Sequence, residues 1–364
     1  MHMKGISDDE YIEERKLEHI KIILDEDINY RVSTWFENIH LIHNALPEMD
    51  LDNIDTRVEF LGRVFNHPIL IDSMTGGTRK AMEINRALAE VAGEYNIPVS
   101  CGSQKAGLLN KDLVDTYRVM RDVCPDCYII GNIGGHDIVS DPAGIASEIV
   151  SMIEADALAI HLNPLQEAVQ HESTVRHSRV IDAIEEAVDA IDVPIIVKET
   201  GAGISMEVAK VLESIGVAAI NVAGAGGTSW SAVEVYRNML RKDGLMADVG
   251  RTFWNWGIPT AASLIEVLSA VDIPVISSGG VRSGVDIVKS MVLGACLGGM
   301  AQPFIKAYFE GALKKFLERI IHEIRICMFL VGASNTTSLK EAGYVITGEL
   351  LEWIRQRGLE SRWL

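Results

Sequence analysis

Residues 274–295 read PVISSGGVRSGVDIVKSMVLGA, and this stretch indicates how the rest of the chain folds. It begins with a short apolar run, turns at a pair of glycines, and continues with apolar residues at helical spacing. An apolar run without polar alternation fits a strand buried on both faces, as the strands of a parallel sheet are. The stretch therefore predicts one strand–turn–helix unit of an α/β protein.

The same unit recurs along the chain. Eight apolar runs rich in Val and Ile end in small or polar residues, at positions 68–74, 97–102, 128–132, 157–163, 195–200, 218–223, 274–279 and 296–301. Helical patterns lie between several of them, at positions 79–95, 142–154, 179–191, 205–216, 260–271 and 283–293. Most runs begin about 22 to 38 residues after the previous one, the length of one βα unit, while the gap between Ala218 and Pro274 must hold a long insertion. The pattern predicts a (β/α)8 TIM barrel. The alternative, an open doubly wound sheet, usually has a G-x-G-x-x-G phrase after its first strand, and that phrase is missing here.

The segments outside the repeats are predicted to be helical extensions. Residues 1–62 are polar and include an acidic helix candidate at 8–24, and residues 307–364 include an amphipathic run at 313–331. No low-complexity segment or Gly/Ser linker separates either from the repeats. We therefore expect one domain over residues 1–364, with the barrel core at about 63–306 and the N-terminal and C-terminal extensions packed on it.

Charge and composition argue against several classes of protein. The chain has 364 residues with 33 basic and 51 acidic side chains, and its formal net charge of −18 opposes binding to nucleic acid or an anionic membrane. No run of about 18 apolar residues lacks a charge, and the first residues lack the apolar core of a signal peptide. The odd number of cysteines indicates a reduced, cytoplasmic protein. We accordingly expect Cys124 and Cys127 to be free thiols, since a zinc site would need a second pair of ligands.

Polar and glycine residues at the strand ends are candidates for the site, because barrel active sites lie at the carboxyl ends of the strands. The seventh end is the most specific, since Gly279 and Gly280 precede a helix that starts at Ser283. Backbone N–H groups at such a helix start bind phosphate, and the glycine-rich end at 298–302 would supply the second half of the site. The structural alternative is a pair of turn glycines.

Lys198 closes an otherwise apolar strand at the predicted barrel mouth. A partly desolvated lysine there could stabilise negative charge on a cofactor or substrate. The alternative is an ion pair with a neighbouring Glu.

Four polar side chains cluster after the fourth strand, namely His161, Asn163, Gln166 and Glu167. An amide and a carboxylate within one turn can hold a substrate, a proton or a metal-bound water. One carboxylate together with a diphosphate is a normal Mg²⁺ environment, because magnesium keeps several water ligands. A capping turn around Pro164 is the alternative.

A compact basic cluster lies in the acidic N-terminal stretch, at Arg15, Lys16 and His19. Arg15 and His19 are four residues apart and share a helix face. The cluster could bind a phosphate that approaches the barrel mouth. Spacing alone favours a solvated helix with Glu–Arg pairs.

Together these phrases resemble type 2 isopentenyl diphosphate isomerase, a flavin-dependent family. The resemblance spans about residues 15–306, and its most specific phrase is HLNPLQE at 161–167. The other phrases are RKLEH at 15–19, MTGG at 74–77, GSQK at 102–105, VKETG at 197–201, GGTSW at 226–230 and SGGVR at 278–282. The resemblance implies a (β/α)8 enzyme of isoprenoid biosynthesis that interconverts isopentenyl and dimethylallyl diphosphate without net redox. It also implies reduced FMN, NADPH or NADH as the reductant, Mg²⁺, and a homotetramer or homo-octamer.

The resemblance also assigns roles to residues. Catalysis would fall to Gln166, beside the alkene, and to Lys198, which would favour the anionic reduced flavin. FMN would be bound by Met74, Thr75, Gly76, Ser103, Asn132, Lys198, Thr228, Gly279, Gly280, Arg282, Ala301 and Gln302. The diphosphate substrate would be bound by Arg15, Lys16, His19, Ser103, Gln104, Lys105, His161, Asn163 and Gln166, and Glu167 would bind Mg²⁺. Lys105 departs from the family pattern, where we expect an arginine, and it keeps the charge but loses bidentate geometry.

Three alternatives stay open at this level. A 2-hydroxy-acid oxidase would carry His-Gly-Gly-Arg at the sixth strand end, whereas residues 221–228 read NVAGAGGT. An IMP-dehydrogenase-like barrel needs a nucleophilic cysteine after that strand, and none lies between Cys127 and Cys296. A flavin- or phosphate-binding protein without catalysis would not need His161, Gln166, Glu167 and Lys198 at one mouth. The insertion at 229–256 either covers the flavin or builds a subunit contact.

Overall fold

Eight parallel strands close into a barrel in which each strand pairs with the next along the chain, and the last pairs with the first. The computed structural model describes residues 8–171, 175 and 177–364, without the side chains of 8–15 and 17. The barrel strands are β1 (Ile69–Ile71), β2 (Val99–Ser100), β3 (Ile129–Gly134), β4 (Ala157–Leu162), β5 (Ile195–Glu199), β6 (Ala219–Asn221), β7 (Val275–Ser277) and β8 (Leu297–Met300). The predicted TIM barrel is therefore confirmed, and each of the eight predicted runs overlaps one strand, although β3 extends to Gly134, two residues beyond the predicted run.

Side chains of the strands alternate between two apolar layers. Ile69 and Ile71 of β1 belong to the large cluster between the strands and the surrounding helices, while Leu70 belongs to a cluster inside the barrel. The inner cluster also contains Phe60 and Phe65, which come from a hairpin of strands Val58–Phe60 and Arg63–Phe65. Burial on both faces explains why the strands read as continuous apolar runs.

Helices follow the strands, and several of them begin at a side-chain cap. Thr78 accepts a hydrogen bond from the N–H of Ala81, and Ser283 forms a capping box with Asp286. The helices are α1 (Asp8–Asp25), α2 (Arg79–Tyr95), α3 (Lys105–Leu109), α4 (Asp115–Val123), α5 (Pro142–Ile153), α6 (Pro164–Val169), α7 (Val180–Ala190), α8 (Met206–Ser214), α9 (Trp230–Leu240), α10 (Gly244–Thr252), α11 (Thr260–Ala270), α12 (Gly284–Leu293), α13 (Gln302–Phe309), α14 (Leu313–Leu330), α15 (Gly348–Gln356) and α16 (Glu360–Trp363). Short 3-10 turns lie at Phe36–Asn38, Leu51–Asn53, Lys111–Leu113 and Ser338–Glu341.

Both extensions contact the barrel. Helix α1 packs against α9 and α3, which places it over the carboxyl ends of the strands. The strand Ile39–Leu41 pairs antiparallel with Tyr344–Ile346, so the N-terminal and C-terminal extensions join each other. Trp353 of α15 donates from its indole nitrogen to Glu266 of α11 at 2.8 Å. The insertion after β6 forms α9 and α10, and α9 packs on α6 beside the barrel mouth.

The expectation of two free thiols at Cys124 and Cys127 is wrong, because their Sγ atoms form a disulfide. Helix α4 ends one residue before Cys124, and a turn in which the N–H of Cys127 donates to the carbonyl of Cys124 brings the two Cα atoms to 5.4 Å. That separation is within the usual range for a disulfide. Within the described residues, no helix has the length and apolar character needed to cross a membrane.

Candidate active site

A cavity of about 610 Å³ opens at the carboxyl ends of the barrel strands. Its walls include residues of β3, β4, β5 and β8, residues that directly follow β1, β2, β6 and β7, and residues of α1 above the barrel. The predicted site residues that line it are Lys16, His19, Met74, Thr75, Ser103, Lys105, Asn132, His161, Asn163, Gln166, Glu167, Lys198, Thr228, Gly279, Gly280, Arg282, Ala301 and Gln302. The fold thus brings together residues that lie almost 300 positions apart in the chain.

Two predicted site residues, Gly76 and Gln104, do not line the cavity. Gln104 is fully buried and turned away from it; its Oε1 accepts from the N–H of Asn132 at 2.9 Å and its Nε2 donates to the carbonyl of Ile149 at 3.0 Å. Its amide therefore fastens the turn after β2 to β3, and the structure does not support a substrate contact. Gly76 is needed for close packing, because a Cβ there would lie 1.9 Å from the Tyr117 ring. The side chain of Arg15 lies outside the described part of the structure.

Two glycines shape the loop between β7 and α12. Gly279 and Gly280 have φ values of +94° and +75°, a region that residues with a Cβ rarely adopt. A Cβ on Gly279 would lie 2.1 Å from the carbonyl oxygen of Gly224, and one on Gly280 would lie 2.5 Å from Thr34. Arg282 donates to Gln302 at 2.9 Å, which links this loop to the end of β8. The result is a glycine-walled cradle with an arginine at its edge, which fits a flavin phosphate.

Lys198 is nearly buried at the end of β5, and its Nζ lies 3.5 Å from Oδ1 of Asp72. Asp72 also accepts from Nδ2 of Asn221 at 3.0 Å. The lysine is therefore paired with an aspartate at the end of β1 rather than with a neighbouring Glu. Its charge faces the cavity from the centre of the barrel mouth, where it can stabilise negative charge on a bound ring system.

His161 is held in one orientation by its neighbours. Its Nδ1 lies 2.7 Å from Oδ1 of Asn132, whose Nδ2 donates to the hydroxyl of Ser73 at 2.6 Å. The amide oxygen can only accept, so the Nδ1 of His161 carries the hydrogen in this arrangement. Burial lowers the pKa of His161 to about 4, and the cation of Lys198 acts in the same direction. The imidazole is consequently neutral at pH 7.

Gln166 is oriented by Glu234, a residue of the insertion that sequence reasoning did not single out. The Nε2 of Gln166 donates to Oε1 of Glu234 at 2.9 Å, while its Oε1 is 3.4 Å from Nδ2 of Asn163. Glu234 is fully buried, and its Oε2 is 2.6 Å from Nη1 of Arg237, which is 1% exposed. Trp230 of α9 lines the cavity, and Glu234 of the same helix supports Gln166 from behind, so the insertion contributes to the site.

The Glu234 carboxylate is charged despite its burial. Desolvation opposes ionisation, but the contacts with His19, Arg237 and Gln166 outweigh it and lower the pKa of Glu234 to about 2. His19 of α1 lies 3.4 Å from Glu234. Glu18 on the same helix contacts Arg237 at 3.0 Å. These contacts fasten α1 to α9 over the cavity.

Glu167, the predicted Mg²⁺ ligand, is held between two histidines. Its Oε1 lies 2.7 Å from Nδ1 of His136, and its Oε2 lies 2.9 Å from Nε2 of His177. Desolvation opposes the charge of Glu167, but the two histidines outweigh it and the pKa of the carboxyl falls below its ordinary value. Desolvation likewise disfavours the His136 cation, yet Asp137 and Glu167 raise the pKa of His136 to about 9.

Lys105 and Lys16 reach the same side of the cavity. The Nζ of Lys105 lies 2.6 Å from Oδ1 of Asp137, so its charge is shared with a carboxylate. The Nζ of Lys16 donates to the carbonyl of Ser103 at 2.9 Å and to the hydroxyl of Tyr117 at 2.6 Å. Both ammonium groups line the cavity wall, where an anionic substrate can meet them.

Five titratable residues that line the cavity or contact its predicted residues were not singled out from the sequence, namely Asp72, His136, Asp137, His177 and Glu234. Asp72 had a signal, since it is the polar residue that directly follows the apolar run of β1. His136 and Asp137 directly follow the glycine pair after β3, in a strand end already noted for its glycines. His177 and Glu234 lie in long connections, and no local pattern distinguishes them from surface residues.

The residues present fit FMN and a magnesium diphosphate. The glycine cradle accepts a phosphate, Lys198 faces the space beside it, and Glu167 offers one carboxylate. Within the described residues, no group of three His, Cys, Asp or Glu side chains is arranged to hold a metal ion by itself. A magnesium ion bound by one carboxylate, substrate phosphate and water requires no such group.

Comparison with known proteins agrees with this geometry. Residues 142–346 match the family model described as FMN-dependent dehydrogenase. The chain is 45% identical over 353 residues to an isopentenyl-diphosphate delta-isomerase from Methanothermobacter thermautotrophicus, covering 96% of this chain and 98% of that protein. It is 46% identical to one from Pyrococcus abyssi, covering 94% and 95%.

Similarity to solved structures supports the fold of this chain and not its activity. A mandelate oxidase solved with a C4a-hydroxy FMN adduct superposes with a TM-score of 0.63 at 15% identity, covering 93% of this chain and 99% of that chain. The near full-length identity to the isomerases is three times higher than the identity to the oxidases. The chain therefore belongs to the family of type 2, FMN-dependent isopentenyl-diphosphate delta-isomerases.

Proposed function

We propose that this chain interconverts isopentenyl diphosphate and dimethylallyl diphosphate at reduced FMN, with Mg²⁺ and without net redox change. One proton is added at the terminal methylene carbon, and another is removed from the carbon next to the one that bears the diphosphate. The double bond moves by one position, and no electrons are lost or gained. The observation that carries the proposal is the meeting of Gln166, Lys198 and Glu167 in one cavity that is also lined by the glycine cradle and by basic groups.

Reduced FMN would supply an electron-rich ring beside the alkene, which stabilises tertiary carbocation character and exchanges the proton. Lys198 would face this ring, and its fixed positive charge favours the anionic form. Met74, Thr75, Ser103, Asn132 and Thr228 line the cavity around the same space. Gly279, Gly280, Arg282, Ala301 and Gln302 would hold the phosphate.

The diphosphate would bind on the opposite side of the cavity. Lys16, His19, Lys105 and His161 supply the groups that can contact its oxygens, with Ser103 and Asn163 beside them. Glu167 would hold Mg²⁺ against the diphosphate. Binding energy from this remote group can orient the alkene, because it is realised far from the reacting carbons.

Gln166 would lie next to the alkene and orient it. An amide is too weak a base to abstract a proton from carbon, so we assign Gln166 to orientation or relay. Its amide is fixed by Glu234, which keeps one face of the side chain turned to the cavity. Helix α1, fastened to α9 by Glu18 and His19, would keep bulk water from the carbocation.

Further properties rest on the same proposal. NADPH or NADH would reduce the flavin, and the protein would act in the cytoplasm. The chain would assemble as a homotetramer or homo-octamer, and large apolar side chains that the insertion exposes, including Leu240 at 65%, Leu245 at 74% and Trp256 at 64%, are available for a contact between copies. Light scattering after size-exclusion chromatography would measure the assembly.

The proposal is tested by anaerobic incubation with FMN, Mg²⁺, a flavin reductant and isopentenyl diphosphate in D₂O, followed by proton NMR. We expect dimethylallyl diphosphate with deuterium in a methyl group and no stoichiometric consumption of reductant. A protein that holds reduced FMN but forms no product would contradict the proposal, and the FMN oxidoreductase or binding-protein alternatives would then apply.

A further inference from the structure

Five side chains form a continuous row at the cavity edge, which we call the carboxylate–imidazole bridge: Lys105, Asp137, His136, Glu167 and His177. Oδ1 of Asp137 lies 2.6 Å from Nζ of Lys105. The same oxygen lies 3.0 Å from Nε2 of His136. His136 then reaches Oε1 of Glu167 with its other ring nitrogen at 2.7 Å, and His177 contacts Oε2 at 2.9 Å. The row connects the turns after β2, β3 and β4 with the segment before α7.

The backbone beneath the bridge is built to hold it. A Cβ on Gly134 would lie 2.6 Å from Oδ2 of Asp137 and 3.2 Å from Cε1 of His136, so these side chains occupy the space that a larger residue would fill. The N–H of Asp137 donates to the carbonyl of Gly134 at 3.0 Å. The N–H of Gly135 donates to the carbonyl of His161 at 2.9 Å, which ties this turn to β4.

The bridge fixes the orientation of the Glu167 carboxylate. Its side chain is 8% exposed, and both of its oxygens have an imidazole neighbour. A carboxylate has about four lone-pair positions, so two remain for a metal ion. Groups that hold a metal ligand in place strengthen metal binding, because the ligand need not be ordered when the ion arrives.

We propose that His136 is a positioning residue for the divalent cation: it holds Glu167 in the orientation that binds the metal and links it through Asp137 to Lys105. This inference rests on the proposed role of Glu167. A rigid ring with a nitrogen on each side can contact two carboxylates at once. Lys105 is thereby kept beside the metal position, which joins the metal site and the diphosphate site into one unit.

The test uses the FMN-loaded enzyme with Mn²⁺ as a spectroscopic substitute for Mg²⁺. Binding is followed by the loss of the electron paramagnetic resonance signal of free Mn²⁺ and reversed with Mg²⁺. We expect His136→Gln to weaken Mn²⁺ binding by about 10- to 100-fold and to leave FMN affinity unchanged. In the isomerase assay, saturating Mg²⁺ should restore the rate of the variant to near the wild-type value.

His171→Gln is the matched control, because His171 also contacts a carboxylate, Asp243, but does not belong to the bridge. His177→Gln should also weaken Mn²⁺ binding. If His136→Gln does not fold, His177→Gln serves as the test variant. Mn²⁺ affinity of His136→Gln within twofold of wild type would overturn the inference. If Glu167→Gln also binds Mn²⁺ normally, the metal assignment itself fails. Isomerisation by the wild-type enzyme is measured separately, so failure of the proposed function remains distinguishable.

Discussion

Replacing Glu234 with Gln should lower the stability of the folded protein, because it removes the charge of a buried ion pair. The carboxylate is fully buried and lies 2.6 Å from Nη1 of the equally buried Arg237. The amide of the variant cannot balance the guanidinium charge. A buried charge that loses its partner is costly, whereas an intact buried pair is close to neutral for stability.

The magnitude follows from the structure in two ways. The pKa of Glu234 falls from 4.5 to about 2, and one pKa unit corresponds to about 1.4 kcal/mol, so the ionised side chain contributes about 3 kcal/mol at neutral pH. Breaking a buried ion pair costs about 3–5 kcal/mol. Because Glu18 also contacts Arg237 at 3.0 Å, part of the charge stays balanced and we expect the lower end of that range.

The assay is urea unfolding of wild type and Glu234→Gln at equal FMN concentration, followed by far-ultraviolet circular dichroism. The pKa of Glu234 is lower in the folded than in the unfolded state, so its contribution is complete above about pH 4.5 and is lost as the pH falls towards 2. The difference between the two proteins should therefore be about 3 kcal/mol at pH 7 and should shrink at pH 3.5.

Two variants serve as controls for this prediction. Glu83→Gln removes an exposed carboxylate that pairs with Lys80 at 2.9 Å, and no measurable change is expected. Glu234→Gln/Arg237→Met removes both charges and should recover part of the lost stability. A difference below about 1 kcal/mol at pH 7, or one that persists undiminished at pH 3.5, would contradict this prediction.

Three further predictions concern the site. Gly279→Ala should lower FMN affinity by about 10- to 100-fold in a fluorescence titration, because alanine is strained at the φ of +94° that Gly279 adopts. Gly311→Ala is the control and should leave FMN affinity unchanged; Gly311 also has a positive φ, +65°, but has open space around it. Binding of inorganic diphosphate at pH 7.5 should take up about one proton at His161, since its Nε2 must gain a hydrogen to donate to phosphate. Calorimetry in buffers of different ionisation enthalpy measures this proton uptake. The same uptake in His161→Gln would contradict the assignment of the proton to His161. Lys198→Met should slow isomerisation by about 100-fold or more at full flavin occupancy, while the exposed Lys210→Met should keep the wild-type rate.

Much of the site was predictable because the barrel places strand ends at one edge whatever their order in the chain. Each strand and most barrel helices follow from local patterns of apolar residues, caps and glycines. Once the parallel barrel is inferred, Lys198 at the end of β5 and His161 near the end of β4 must lie at the same mouth, and they are in fact adjacent in register. The roles of these residues came from the resemblance to the family, because position alone does not specify chemistry.

The barrel, its carboxyl-end cavity and the glycine turn after β7 therefore follow from local sequence patterns, since these depend on short-range periodicity and on glycines that a tight turn requires. Which charged side chains contact one another depends on the packing of the whole fold. The contacts of Glu234 with Gln166 and of His136 with Glu167 join residues from separate connections, and Gln104 turns into the core although it lies between two cavity residues. Such pairs depend on how helices and loops pack over the barrel. No local pattern encodes that packing, because a buried ion pair becomes favourable only after both partners have been brought together and shielded from water.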